Sequence, residues 1–161
     1  MKSKPVVIVT GASRGVGAAA ARWLAGAGTA VTLIARSQEE LRHEAEAIDR
    51  FGGDCLFVAG DVSDPHFCRS AVEKTLARFH RLDALVNNAG TVEPLATVAN
   101  ARPADWHYNV EVNLLGPVYM SMAAIPELRG RNGRIVNVSS GAAYHVIAAA
   151  SAYCAAKGQM I

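Results

Sequence analysis

The sequence predicts a doubly wound α/β fold, a parallel sheet with helices packed on both faces. Three observations carry that expectation. Apolar, β-rich runs of about five residues alternate with longer helical stretches along the whole chain. The runs are apolar without alternation, as strands buried on both faces are. The unusual residues collect where each run ends, the edge at which ligands bind in such sheets, whereas the opposite turns carry nothing comparable.

Taken in order, strands are expected over 6–10, 30–35, 55–59, 84–87 and 134–139, and helices over 15–25, 38–51, 65–79 and 103–128. A last helix is expected to include Ser151 to Lys157. Glycines at 11, 15 and 17 follow the first strand, and Ala18 to Ala21 keep the next helix slim against the sheet. Gly52 with Gly53 and the Arg129 to Arg134 segment read as turns at the opposite ends. There is no internal repeat, low-complexity tract or linker.

Composition narrows the class. With 161 residues, 51% hydrophobic and 19% charged, the chain has enough apolar side chains for one globular core. Sixteen basic residues stand against 14 acidic ones, a net charge of +2, which argues against nucleic-acid or membrane partners. Cys55, Cys68 and Cys154 are odd in number and have no CxxC spacing, so free, buried or half-buried thiols are expected rather than a disulfide or metal site. The apolar run after Lys2 to Pro5 is too short for a signal peptide, and no stretch reaches membrane-spanning length. The expected compartment is the cytoplasm.

The strand-end residues define a chemistry. The loop TGASRGVG, Thr10 to Gly17, lets the backbone approach a pyrophosphate and offers it the free N–H groups of a helix start. At the second strand's end, where an NAD site presents a carboxylate to the ribose, this chain has Ala35, Arg36 and Ser37. Arg36 together with Arg14 therefore suits a 2′-phosphate, favouring NADP(H) over NAD(H). Asp61, followed by Val62, either accepts from an adenine amino group or caps the helix entered through Ser63, Asp64 and Pro65. Asn87 to Gly90, NNAG, offer two amides and a glycine at the fourth strand's end. Pro117 has no N–H for the carbonyl of Asn113, which is left free for another partner, a kink, or both.

Tyr153 and Lys157 are four apart and share one helical face. A lysine beside a phenol favours its anion and makes it usable as an acid or base near neutral pH. Ser139 and Ser140 end the fifth strand, and a hydroxyl there can stabilise charge on a substrate oxygen.

TGASRGVG, NNAG, Asn113, Ser140 and YCAAK, in this order and spacing, resemble the short-chain dehydrogenase/reductase family over nearly the whole chain. The resemblance implies a Rossmann fold and an NADP(H)-dependent oxidoreductase acting on a small carbonyl or alcohol substrate. It makes Tyr153 the acid/base, Ser140 the holder of the substrate oxygen and Lys157 the group that binds nicotinamide ribose and depresses the tyrosine pKa. Asn113 would hold a relay water through its main-chain carbonyl. The cofactor would lie against Gly11, Ser13, Arg14, Gly15, Val16, Gly17, Arg36, Ser37, Asp61, Val62, Asn88, Ala89 and Gly90, reaching Tyr153 and Lys157. Assembly as a homodimer or homotetramer is implied as well.

The chain departs from the family pattern by ending at Ile161, before the family's last strands and substrate cover. One domain over 1–161, C-terminally incomplete, is therefore expected. Beside the carbonyl reductase stands the alternative of a non-catalytic NADP(H)-binding or interaction module.

Overall fold

A computed structural model describes residues 4–159; Met160 and Ile161, the end of the expected domain, and residues 1–3 lie outside them. Five strands form one parallel sheet in the order β3-β2-β1-β4-β5. They are β1 (Val6–Thr10), β2 (Ala30–Ala35), β3 (Asp54–Ala59), β4 (Ala84–Asn87) and β5 (Arg134–Asn137). Helices α1 (Gly15–Gly26), α2 (Gln38–Arg50), α3 (Pro65–Phe79), α4 (Pro103–Val110), α5 (Gly116–Arg129) and α6 (Ser151–Gly158) connect or flank them. The doubly wound expectation holds, and the strand order reverses direction between β1 and β4, the topological switch where a crevice opens.

Burial explains why β1 is central. All five of its residues are buried, as are the first five of β2. One core layer gathers Val7, Val9, Leu33, Leu41 and Ile48 under α1 and α2; the other gathers Ile8, Ile34, Leu82, Leu85, Met120 and Leu128 under α3 and α5. Each such side chain contributes about 1.5–3 kcal/mol, so the sheet is anchored from β2 to β4. At the edge, β5 pairs with β4 alone among the described strands, and its residues are exposed or half-buried.

Two expected elements differ. The fifth strand stops at Asn137 rather than Ser139: Val138 still donates to the Asn87 carbonyl, at 2.9 Å, but Ser140 turns away to start a single 3₁₀ turn, Gly141–Ala143. The long helix expected over 103–128 is broken by a π-helical turn, Glu111–Leu115. There the Gly116 N–H reaches back five residues to the Glu111 carbonyl. Pro117 withholds the N–H that a regular α-turn would give Asn113, so the wider turn sits around the residue whose carbonyl was expected to be free. Such π-bulges frequently mark functional sites.

The remaining boundaries shift by one residue at β3, α1, α2 and α5, the usual fraying of element ends. The three cysteines are free, with Cys68 buried and the other two half-buried. Burial first, then nearby Asp64 and Asp61, pushes the Cys68 thiol up to about 12, which makes it inert. No described helix is long and apolar enough to cross a membrane.

Candidate active site

The glycine loop is shaped by close contacts at Gly11 and Gly17 that leave no room for a side chain, and by backbone conformation at Gly15. Gly11 and Gly15 have φ of +65° and +57°, in the left-handed region. A methyl on Gly17 would lie 2.3 Å from the Gly11 carbonyl oxygen and 2.4 Å from Asn88 Nδ2. Asn88 ties the loop down by donating through Nδ2 to the carbonyls of Thr10, at 2.9 Å, and Gly11, at 3.2 Å. Thr10 completes the tie, its Oγ1 accepting from the N–H groups of Asn88 and Ala89, both at 3.0 Å. The first-strand and fourth-strand motifs thus form one unit. No side chain caps α1, so the N–H groups of its first turn face the loop with no side-chain acceptor of their own.

A cleft of about 640 Å³ opens at the strand ends. Of the sequence candidates, Gly11, Ser13, Arg14, Arg36, Ser37, Asp61, Val62, Asn88, Ala89 and Gly90 line it. Gly15, Val16 and Gly17 do not; Gly15 and Val16 are exposed at the start of α1, while Gly17 is buried against the loop. The volume, the glycine cradle and a wall of main-chain and basic groups fit a dinucleotide.

At one end of the cleft, Tyr108 of α4 bridges two candidates. Arg36 Nη1 donates to the Tyr108 hydroxyl at 2.8 Å, and that hydroxyl donates to Asp61 Oδ2 at 2.7 Å. Asp61 Oδ1 accepts from the N–H and hydroxyl of Ser63. Burial alone would raise the Asp61 pKa, but the hydrogen bonds from Ser63 and Tyr108, with the Arg36 charge, bring it below its ordinary value. Burial and the Asp61 carboxylate raise the Tyr108 phenol. The capping alternative for Asp61 is overturned: Asp64 caps α3, accepting from the His66 N–H at 2.8 Å.

Toward the other end of the cleft, Gly90 connects to the Tyr153 and Lys157 helix. A methyl on Gly90 would sit 2.8 Å from Asn113 Oδ1 and 3.9 Å from Lys157 Nζ. Lys157 is 4% exposed and donates to the Val138 carbonyl at 3.0 Å. Its Nζ lies 5.8 Å from the centroid of the Tyr153 ring, so the two share a face as the spacing required. Burial lowers the lysine pKa below its ordinary value of 10.5. Ser140 Oγ accepts from the Ala142 N–H at 3.2 Å, a bond that leaves its own proton available. The side chain of Asn113 is wholly engaged: Nδ2 donates to the Thr91 carbonyl at 2.7 Å and to Asn109, and Oδ1 accepts from the Thr91 N–H. Only its main chain is left for other chemistry.

Sequence reasoning missed four supporting residues. Tyr108 and Thr91 line the cleft. Asn109, fully buried, donates to the carbonyls of Thr91 and Glu93. Trp106 Nε1 donates to Ser151 Oγ at 3.2 Å, pinning the first residue of α6 to α4. Tyr108 with Val112, and Asn109 with Asn113, are i,i+4 pairs that a helical plot groups without saying what they meet.

Known proteins resemble the chain over nearly all of its length. A family model described as short chain dehydrogenase matches residues 5–161. 11-beta-hydroxysteroid dehydrogenase-like 2 of Arabidopsis thaliana is 35% identical over 157 residues, covering 97% of this chain and 51% of the relative. A metagenomic short-chain oxidoreductase in complex with NADP superposes with TM-score 0.90 at 38% identity, covering 96% of this chain and 71% of that one. A variant of actinorhodin polyketide ketoreductase with NADPH gives TM-score 0.92 at 30% identity, covering 98% and 61%. The chain spans about half the length of the curated relatives it matches. With its strand order, its glycine cradle and a family model matching from Pro5 onward, the chain belongs to the short chain dehydrogenase family.

Proposed function

We propose that the protein is an NADP(H)-dependent oxidoreductase that reduces a carbonyl, or oxidises the corresponding alcohol, with Tyr153 as the acid/base. The observation that carries this reading is Lys157, an ammonium that is 4% exposed, over the Tyr153 ring and beside Gly90 of the cleft. A buried cation with no carboxylate partner among the described residues is costly to keep. Its place is understandable if a negative charge forms beside it during turnover.

The residues divide the work. Gly11 and the start of α1 would hold the pyrophosphate, with Gly17 buried behind Gly11 so that the loop stays close-packed and Asn88 keeping that loop in shape. Arg36 and Arg14, which line the cleft, would take the ribose 2′-phosphate, and Asp61, Val62, Ala89 and Gly90 would line the adenosine path. When bound, the nicotinamide supplies the hydride chemistry. Ser140 donates its proton to the substrate oxygen, and Tyr153 gives that oxygen a proton in reduction or takes one in oxidation. Lys157 would hold the nicotinamide ribose hydroxyls, and the main-chain carbonyl of Asn113 in the π-turn would hold a water that passes protons between Lys157 and solvent. Two of the solved relatives hold NADP or NADPH, which supports the coenzyme choice. The same proposal includes one dinucleotide-binding domain in a cytoplasmic homodimer or homotetramer.

The test is coenzyme oxidation by the full-length protein, followed by nicotinamide absorbance with a panel of aldehydes and ketones. Carbonyl-dependent NADPH oxidation is expected. Nucleotide binding without turnover in either direction across the panel would overturn the catalytic reading in favour of a binding module.

A further inference from the structure

Tyr108 stands between two side chains that would otherwise attract each other. Arg36 projects from the end of β2 and is exposed; Asp61 follows β3 and is half-buried. Arginine can only donate and an ionised carboxylate can only accept. The Tyr108 hydroxyl therefore spends its single proton on Asp61 and turns a lone pair to Arg36, consistent with the 2.7 and 2.8 Å separations. One N–H of the guanidinium is engaged in this way. The remaining N–H groups have no hydrogen-bond partner among the described residues and are free to meet an anion in the cleft that Arg36 lines.

We propose that Tyr108 is a coenzyme-selectivity residue: its hydroxyl keeps the Arg36 guanidinium apart from the Asp61 carboxylate and so reserves it for a ribose 2′-phosphate. The inference rests on the NADP(H) reading above. Without the hydroxyl, nothing satisfies Asp61 Oδ2, and the long, exposed arginine closes onto it as a direct ion pair. A 2′-phosphate then has to displace that carboxylate, whereas a ligand with a free 2′-hydroxyl does not. Selectivity falls while binding of the shared adenosine portion persists. The placement follows from the helix: Tyr108 in α4 and Val112 in the π-turn that continues it are one turn apart on the side that lines the cleft, and the adjacent pair Asn109 and Asn113 anchors that side to Thr91.

The experiment measures equilibrium binding of adenosine 2′,5′-bisphosphate and of 5′-AMP to the full-length protein by calorimetry. Tyr108→Phe is expected to lower the bisphosphate-to-AMP affinity ratio about tenfold, as loss of a charge-assisted contact does, with AMP binding nearly unchanged. Adding Asp61→Asn to Tyr108→Phe removes the competing carboxylate and is expected to restore the ratio, a rescue that a packing role would not produce. Arg36→Ala separates this proposal from the one beneath it. If Arg36→Ala lowers the ratio and Tyr108→Phe does not, or if the double variant fails to restore it, the Tyr108 proposal is overturned and the coenzyme reading stands. If Arg36→Ala leaves the ratio unchanged, the coenzyme reading fails and this inference fails with it. Should Tyr108→Phe not fold, Tyr108→Gln keeps a group that donates to Asp61 and accepts from Arg36, and retained preference is expected; a lost preference overturns the proposal.

Discussion

Gly17→Ala is expected to lower stability by about 3 kcal/mol and to remove measurable nucleotide binding. The added methyl would stand 2.3 Å from the Gly11 carbonyl oxygen and 2.4 Å from Asn88 Nδ2, distances at which atoms overlap. Both neighbours belong to the tie between the first and fourth strand ends, so neither moves without breaking a hydrogen bond that shapes the loop. Gly15→Ala serves as the comparison. Nothing lies within 4 Å of its added methyl, and the only cost is a left-handed φ of +57°, about 1 kcal/mol. Urea unfolding and calorimetric titration with NADPH check both variants. Equal midpoints for Gly17→Ala and the parent would show that the loop is not close-packed as described.

Lys157→Met is expected to abolish turnover and yet raise stability at neutral pH by about 0.5–2 kcal/mol. The lysine is buried, and its ammonium meets the Val138 carbonyl and the face of Tyr153 rather than a carboxylate. Methionine fills similar volume without a charge to desolvate. The pH dependence has a definite sign. Burial lowers the folded-state lysine pKa below the ordinary 10.5, so between those two values the unfolded chain binds the extra proton. Parent stability therefore rises with pH across that window. The advantage of the Lys157→Met variant is full below the folded-state pKa and fades as pH climbs to 10.5. Thermal unfolding of both proteins across that range gives the answer; a less stable Lys157→Met at neutral pH would mean the ammonium is well solvated or well paired.

Much of this site was legible because strand-end residues announce themselves chemically. A glycine triplet, NNAG, a serine after the last strand and a Tyr-Lys pair one turn apart each break the surrounding apolar pattern. Pro117 points to a carbonyl at Asn113 that lacks its regular α-helical partner, because a missing N–H is a covalent fact. Its consequence, a π-turn over Glu111–Leu115, depends on how α4 and α5 pack and leaves no mark in periodicity. Tyr108, Asn109 and Trp106 were silent for the same reason. They look like ordinary helix residues until tertiary packing carries α4 across the strand ends and sets them against Asp61, Thr91 and Ser151. Ser140 shows the reverse: its chemistry was visible, but not that the strand would stop at Asn137 and let it turn away.

The most direct test is Tyr153→Phe, measured for NADPH affinity and for carbonyl-dependent turnover in the same preparation. Removing one hydroxyl leaves the cleft lining and the Lys157 bond to Val138 untouched. Affinity within about twofold of the parent is expected, with turnover reduced on the order of 10²–10⁴-fold, the usual contribution of a positioned proton donor. Undiminished turnover would contradict the assignment of Tyr153 as the acid/base at this site.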